Sequence, residues 1–230
     1  EQSELFDPRG RPVARDEMEV RCRGEGEFVQ RMKIMDPELW SVDAPSLYTA
    51  RTRLYAGGRL LDGEVTRFGV RSIDFSAQAG FRLNGRPLFL RRACLHHDHG
   101  ILGSRSFDAA EERRVRVMKE NGFNAVRTAH NPPSESFLEA CDRLGLLVID
   151  EAFDMWQEKT NEQDYHRHHA RWWKRDLKAM VERDRNHPSV LMWSIGNEVS
   201  GKLKARNRTL ARQQADYVRG LDPSRPVTEG

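Results

Sequence analysis

The chain has few cysteines: Cys22, Cys94 and Cys141 among 230 residues. They are odd in number, far apart and never in a CxxC pair, which excludes a disulfide framework and a zinc ribbon. No apolar run is long enough to span a bilayer, so a membrane partner is not expected. The chain begins at Glu1 and shows no signal-peptide pattern. Localisation stays open, with the cytoplasm favoured over secretion. Asn207-Arg208-Thr209 is a glycosylation sequon, meaningful only in a eukaryotic secretory protein. An excess of one charge is also missing, since 38 basic residues nearly cancel 35 acidic ones. That balance does not by itself argue for nucleic acid as a partner, and none is expected. Gly24-Glu25-Gly26 lacks the rest of a dinucleotide fingerprint and reads as a turn.

What is present falls into two regions. Residues 1 to about 78 alternate in short stretches, at 17–22, 28–34, 47–55 and 65–70, between turn residues. Gly57-Gly58 suits a tight hairpin, where positive φ is needed. The pattern predicts an antiparallel β-sandwich over 1–78, short for a complete seven-strand one and without an obvious first strand.

From residue 79 to 230 strands alternate with helices. The predicted strands are 88–95, 124–127, 146–149, 190–195 and the start of a fifth at 225–228. Asp108 opens the first helix, with Glu111 as a capping-box partner, and Gly122 closes it. Pro132-Pro133 starts the second, which buries Phe137, Leu138, Cys141 and Leu144 and stops at Gly145. Further helices are predicted over 172–186 and 203–221. This repetition means a parallel α/β fold. Each strand ends in polar or ionisable residues: His96-His97, Arg127 with His130-Asn131, Asp150-Glu151, and Asn197-Glu198. Functional residues gather in that way at one end of a TIM (β/α)8 barrel, and the chain supplies its first half. Half a barrel leaves two open parallel edges, a sign of truncation.

Glycoside cleavage needs a proton donor and a second carboxylate, about 5–5.5 Å apart in retaining enzymes. Glu198 is the candidate general acid. It follows an apolar strand and a Gly196-Asn197 step, and Trp193 and Ile195 are expected to give it an apolar surround. Capping the next helix is its alternative role. His96, His97 and His99 lack the spacing of a usual zinc site, so sugar binding is preferred and no metal is expected. His130 and Asn131 fit the same role, with a helix cap as the alternative for Asn131. Asp150-Glu151 are either substrate ligands or structural partners of Arg127, with Asp150 the expected ligand. Trp156 and Trp193 either stack on sugar or fill the core, and Trp172 and Trp173 are expected in the core. The basic stretch 166–185 is interleaved with Asp176, Glu182 and Asp184, which suits a solvated helix face.

Several ordered motifs together resemble glycoside hydrolase family 2. They include Phe81-Arg82-Leu83-Asn84-Gly85-Arg86-Pro87, Leu95-His96-His97-Asp98-His99-Gly100 and 124–133, which reads NAVRTAHNPP. Val148-Ile149-Asp150-Glu151-Ala152-Phe153-Asp154-Met155-Trp156, Asn186-His187-Pro188-Ser189-Val190 and Trp193-Ser194-Ile195-Gly196-Asn197-Glu198 complete the set. Pro37-Glu38-Leu39-Trp40-Ser41 and Phe68-Gly69-Val70-Arg71 resemble the family's immunoglobulin-like domain. The resemblance implies a retaining β-glycosidase acting on a carbohydrate, with β-galactosidase preferred over β-glucuronidase or β-mannosidase. It makes Glu198 the general acid/base, places Asn197 near the sugar 2-hydroxyl, and lines the subsite with His97 and His130. The family's nucleophile lies on a seventh barrel strand that this chain does not hold. The chain alone is therefore expected to be inactive, a fragment of an enzyme that can be homo-oligomeric, or a non-catalytic sugar-binding remnant. The Glu-x-His continuation that some relatives use for magnesium is absent, so no cofactor is expected.

Overall fold

The computed structural model describes residues 1–21, 24–159, 161–199 and 205–229. Its first sheet is antiparallel, in the order β2-β1-β3-β4. Strands β1 (Gln2–Phe6) and β2 (Pro12–Glu17) form a hairpin. The Asp7 carboxylate closes its turn by accepting from the backbone N–H of Arg9 and of Arg11, at 2.9 and 2.8 Å. Strand β1 also pairs with β3 (Tyr48–Ala56), which pairs with β4 (Arg59–Phe68). Gly57 and Gly58 turn that hairpin at φ +57° and +79°, as the sequence suggests.

Two expectations for this region are overturned. A first strand exists at 2–6, and no strand runs over 28–34. Phe28 and Val29 are exposed, so alternation in that stretch buries no face and gains nothing from pairing. The stretch 17–22 contributes only Glu17 to a strand, and Cys22 lies outside the described residues.

A three-stranded meander follows: β5 (Ile73–Ser76), β6 (Gly80–Leu83) and β7 (Arg86–Pro87). It leads into the parallel sheet β8 (Arg92–His96), β9 (Ala125–Ala129), β10 (Leu147–Glu151), β11 (Val190–Ser194) and β12 (Val227–Thr228). Neighbours in that sheet are neighbours in sequence, and every pair is parallel. A doubly wound sheet would reverse its order at a switch point. A barrel does not.

Helices α1 (Asp108–Glu120), α2 (Glu135–Leu144), α3 (His166–Asp184) and α4 (Ala205–Leu221) connect the strands. No described helix is long and apolar enough to cross a membrane. Helix α2 is capped by Ser134, whose Oγ accepts from Phe137 N, and it ends at Gly145 in the left-handed conformation. Helix α3 starts six residues before the predicted 172, where Tyr165 stacks on Phe153 with ring centres 5.1 Å apart. The predicted start of the last helix, Leu203, lies outside the described residues. Asn207 of the sequon is buried on α4, out of reach of a glycan.

Two cores hold these layers. Between sheet and helices lie Val126, Val148, Leu138, Leu177, Val181 and Trp193. At the N-terminal ends of the strands, Ala125, Leu147 and Leu191 meet Phe81, Leu83 and Trp40. Trp40 is fully buried and donates from Nε1 to Asp142 O at 2.8 Å. Lys119 Nζ donates to Val42 O and Gly145 O, at 2.7 and 2.9 Å. Arg71 donates to the carbonyls of Pro188 and Val190. The segment before the parallel sheet thus closes its lower end and leaves the upper end free.

Trp172 and Trp173 are both half-buried on α3; Trp173 packs against the helix-side core, whereas Trp172 does not belong to it. Trp172 carries the guanidinium groups of Arg171 and Arg175, at 5.0 and 4.9 Å from its ring centre. His169 is fully buried on the inner face of the same helix, edge-on to Phe153. Burial lowers its pKa to about 4, against a hydrogen bond to Gln214 and the charge of Asp176 that would raise it. The unfolded chain takes up a proton near the ordinary value of about 6.5, and the folded chain refuses it until about pH 4. Stability is expected to fall by about 3 kcal/mol as pH drops through that window. Urea titrations at pH 7 and pH 4 would measure it. The stability difference between wild type and His169→Phe should shrink by that amount, and a difference independent of pH would refute the assignment.

Candidate active site

The C-terminal ends of β9, β10 and β11 carry the polar residues. Strand pleating sends adjacent side chains to opposite faces, so Asp150 and Glu151 part company. Glu151 points into the barrel interior and is fully buried. Its Oε2 accepts from Arg127 Nε at 2.8 Å and from Ser194 Oγ at 2.6 Å, with Arg127 Nη2 in ion-pair contact at 2.7 Å. Its Oε1 meets His130 Nδ1 at 2.7 Å, and its backbone N–H donates to Thr128 Oγ1 at 3.0 Å. Arg127 reaches further, donating from Nη2 to Asn197 Oδ1 at 2.7 Å. Asn197 Nδ2 in turn donates to Asp154 Oδ1 at 3.0 Å. One network therefore joins all three strand ends.

Asp150 does not belong to it. The structural partner of Arg127 is Glu151, and Asp150 is fully buried beside Asp184 in the layer between sheet and helices. Burial pushes its carboxyl well above the usual range, the neighbouring Asp184 carboxylate adds to this, and Arg183 and Arg225 oppose it. Substrate has no path to a side chain with no exposure, so the expected ligand role of Asp150 is withdrawn.

Glu198 is exposed beyond β11, one residue after the buried Asn197, at φ +37°. Trp193 and Ile195 do not surround it, because both are packed in the helix-side core. Trp193 donates from Nε1 to Asp222 at 2.9 Å. Trp156 also faces inward, donating from Nε1 to Ile195 O at 2.8 Å. A β-carbon on Gly196 would stand 2.7 Å from that indole nitrogen. The tryptophan therefore packs under the turn before Glu198 instead of offering a face to a sugar, and position 196 has room only for glycine.

The histidines separate. His96 sets its ring edge-on to His130, at 5.1 Å between centres. His97 is half-buried and lines a small cavity with Leu95, Thr128, Asn131 and Phe137. His99 lies under the loop, its Nε2 3.1 Å from both Glu111 Oε1 and Arg114 Nη1. Glu111 is not a capping-box partner: it is buried and accepts from Ser106 Oγ and Ser134 Oγ, at 2.9 and 3.0 Å, tying the β8–α1 loop to the start of α2. Asn131 is exposed and donates to Pro132 O at 3.0 Å, while the cap of α2 is Ser134. No group of three or more metal-ligating side chains occurs among the described residues. Asp154 and Ser194 are the network members that sequence reasoning does not place at the site, whereas Arg127 is named there at its strand end as a partner of the acid pair. The D-E pair is the available signal, but a strand buried on both faces does not say which acid points inward.

A half-ring of parallel strands with a carboxylate, an amide and imidazoles at its C-terminal rim defines a barrel of the enzyme type. Models of glycosyl hydrolases family 2 match residues 2–71, and of that family's TIM barrel domain residues 77–229. The chain belongs to glycosyl hydrolase family 2. A β-galactosidase of Bacteroides ovatus is 39% identical across 99% of this chain. A family 2 member from Bacteroides cellulosilyticus superposes over 100% of the chain with a TM-score of 0.96 and 46% identity. A β-glucuronidase from Parabacteroides merdae covers 99% with a TM-score of 0.86 and 27% identity. The chain spans 31%, 30% and 28% of these three proteins respectively.

Proposed function

We propose that this chain is the acid/base-bearing part of a retaining β-glycosidase, with a β-galactoside as its preferred substrate. Glu198 protonates the leaving oxygen and then takes a proton from water. Asn197 and His130 bind the cleaved sugar, and His97 and Asn131 line the same mouth. Residues 1–78 belong to an immunoglobulin-like sandwich, and 79–230 to the first half of the barrel. The observation that supports this most is the pairing of an exposed Glu198 with an Asn197 held at both ends of its amide. The Bacteroides ovatus relative favours galactose, and the Parabacteroides merdae relative keeps glucuronate as the second candidate. The 230 residues alone are expected to turn over nothing, because they carry no second carboxylate in the nucleophile's place.

The test is to assay the intact gene product on 4-nitrophenyl β-galactoside, β-glucuronide and β-mannoside, following the released sugar by NMR. Hydrolysis fastest on the galactoside, with the β-anomer appearing first, is expected. First appearance of the α-anomer would overturn the retaining assignment.

A further inference from the structure

The donor and acceptor chemistry of the network fixes more than its members' positions. Arg127 can only donate hydrogen bonds, and an ionised carboxylate can only accept them. Asn197 lies between Arg127 and Asp154, so its amide has one permitted orientation, Oδ1 to the guanidinium and Nδ2 to the carboxylate. The same logic applies to His130. Its Nδ1 faces Glu151 Oε1 at 2.7 Å, so Nδ1 must carry the hydrogen. Nε2 is then the atom left for the mouth, where a fifth of the His130 side chain is exposed.

We infer that Glu151 is the positioning residue of this site. It holds His130 as the Nδ1–H tautomer, with Nε2 offered as an acceptor to a sugar hydroxyl, and it orients Asn197 through Arg127. Full burial, two hydrogen bonds on Oε2 and the ion pair with Arg127 hold the carboxylate in this arrangement. The ligand chemistry follows. A hydroxyl on the bound sugar donates to His130, and the second Nδ2 hydrogen of Asn197, which has no further acceptor among the described residues, can reach another hydroxyl. An O-methylated hydroxyl at the first position has nothing to donate. The catalytic consequence, unlike the tautomer, rests on the glycosidase reading above.

Nitrogen-15 NMR of the histidine-labelled protein at pH 8 tests the tautomer, with the His130 signal assigned by its loss in His130→Gln. A protonated Nδ1 and a bare Nε2 are expected, shifting toward the Nε2–H form in Glu151→Gln. In the intact gene product, Glu151→Gln is expected to lower kcat/KM about 100-fold, the scale of a misplacement near 1 Å, with kcat taking the larger share. An Nε2–H tautomer in wild type, or unchanged kcat/KM in a folded Glu151→Gln, overturns the proposal. If that variant does not fold, the wild-type tautomer decides. A protein that hydrolyses no β-glycoside yet shows the Nδ1–H tautomer overturns the glycosidase reading and supports the positioning role.

Discussion

Replacing Glu198 by Gln in the intact gene product is expected to lower turnover of alkyl β-galactosides by about 10²–10⁴-fold, the contribution of a general acid/base. Gln keeps the size and polarity of the side chain and removes the transferable proton. The loss should depend on the leaving group. A poor leaving alkoxide needs the proton, whereas 2,4-dinitrophenolate departs without it, so the first step on a dinitrophenyl galactoside should be nearly spared. The second step still needs a base to deprotonate water. Glu198→Ala with added azide bypasses that need, because azide attacks without deprotonation, and β-galactosyl azide should accumulate. Equal losses on alkyl and dinitrophenyl substrates, with no azide product, would remove Glu198 from the acid/base role. The prediction rests on the exposed position of Glu198 beside the anchored Asn197.

Gly145→Ala is expected to cost the most stability of the Gly→Ala changes compared among the described residues, roughly 4 kcal/mol. Two causes act at one atom. Gly145 closes α2 at φ +75°, which an alanine adopts only under strain. A β-carbon there would overlap the Val42 carbonyl oxygen, with the carbonyl carbon and Cα of Val42 at 2.9 and 3.0 Å. Those are backbone atoms of the segment that seals the barrel's lower end, so they cannot rotate away. Gly122 provides the control. It closes α1 at φ +80°, and a methyl group added there would have nothing within 4 Å. Gly122→Ala therefore suffers the conformational cost alone, about 1–3 kcal/mol. Urea midpoints of the two variants separate the effects. Equal losses would mean that the Val42 contact carries no weight.

The parallel half of the molecule is legible in the sequence because its strands and helices announce themselves locally. Gly122 and Gly145 stop helices where a left-handed residue is required, and 146–149 is apolar throughout because both faces are covered. The antiparallel half is less so. Residues 28–34 carry the alternation of a strand without a face to bury, whereas 2–6 (QSELF) form a strand whose alternation is short and mostly polar. At the site, strand ends name the right neighbourhoods but not the directions. Asp150 and Glu151 are chemically alike in sequence, and only the pleat separates a buried acid facing Asp184 from the hub of the network. Trp156 misleads for a related reason: an indole suits a sugar face and a turn's underside equally well, and its partner, Gly196, lies 40 residues away.

The positive φ of Glu198 has an evolutionary side. A side chain held in that region costs on the order of 1 kcal/mol that glycine or asparagine would not incur. A laboratory selection for heat resistance alone should therefore drift toward Gly or Asn at position 198, and the survivors would be sturdier proteins without an acid. Retention of glutamate there would then record selection on turnover, opposed by selection on folding.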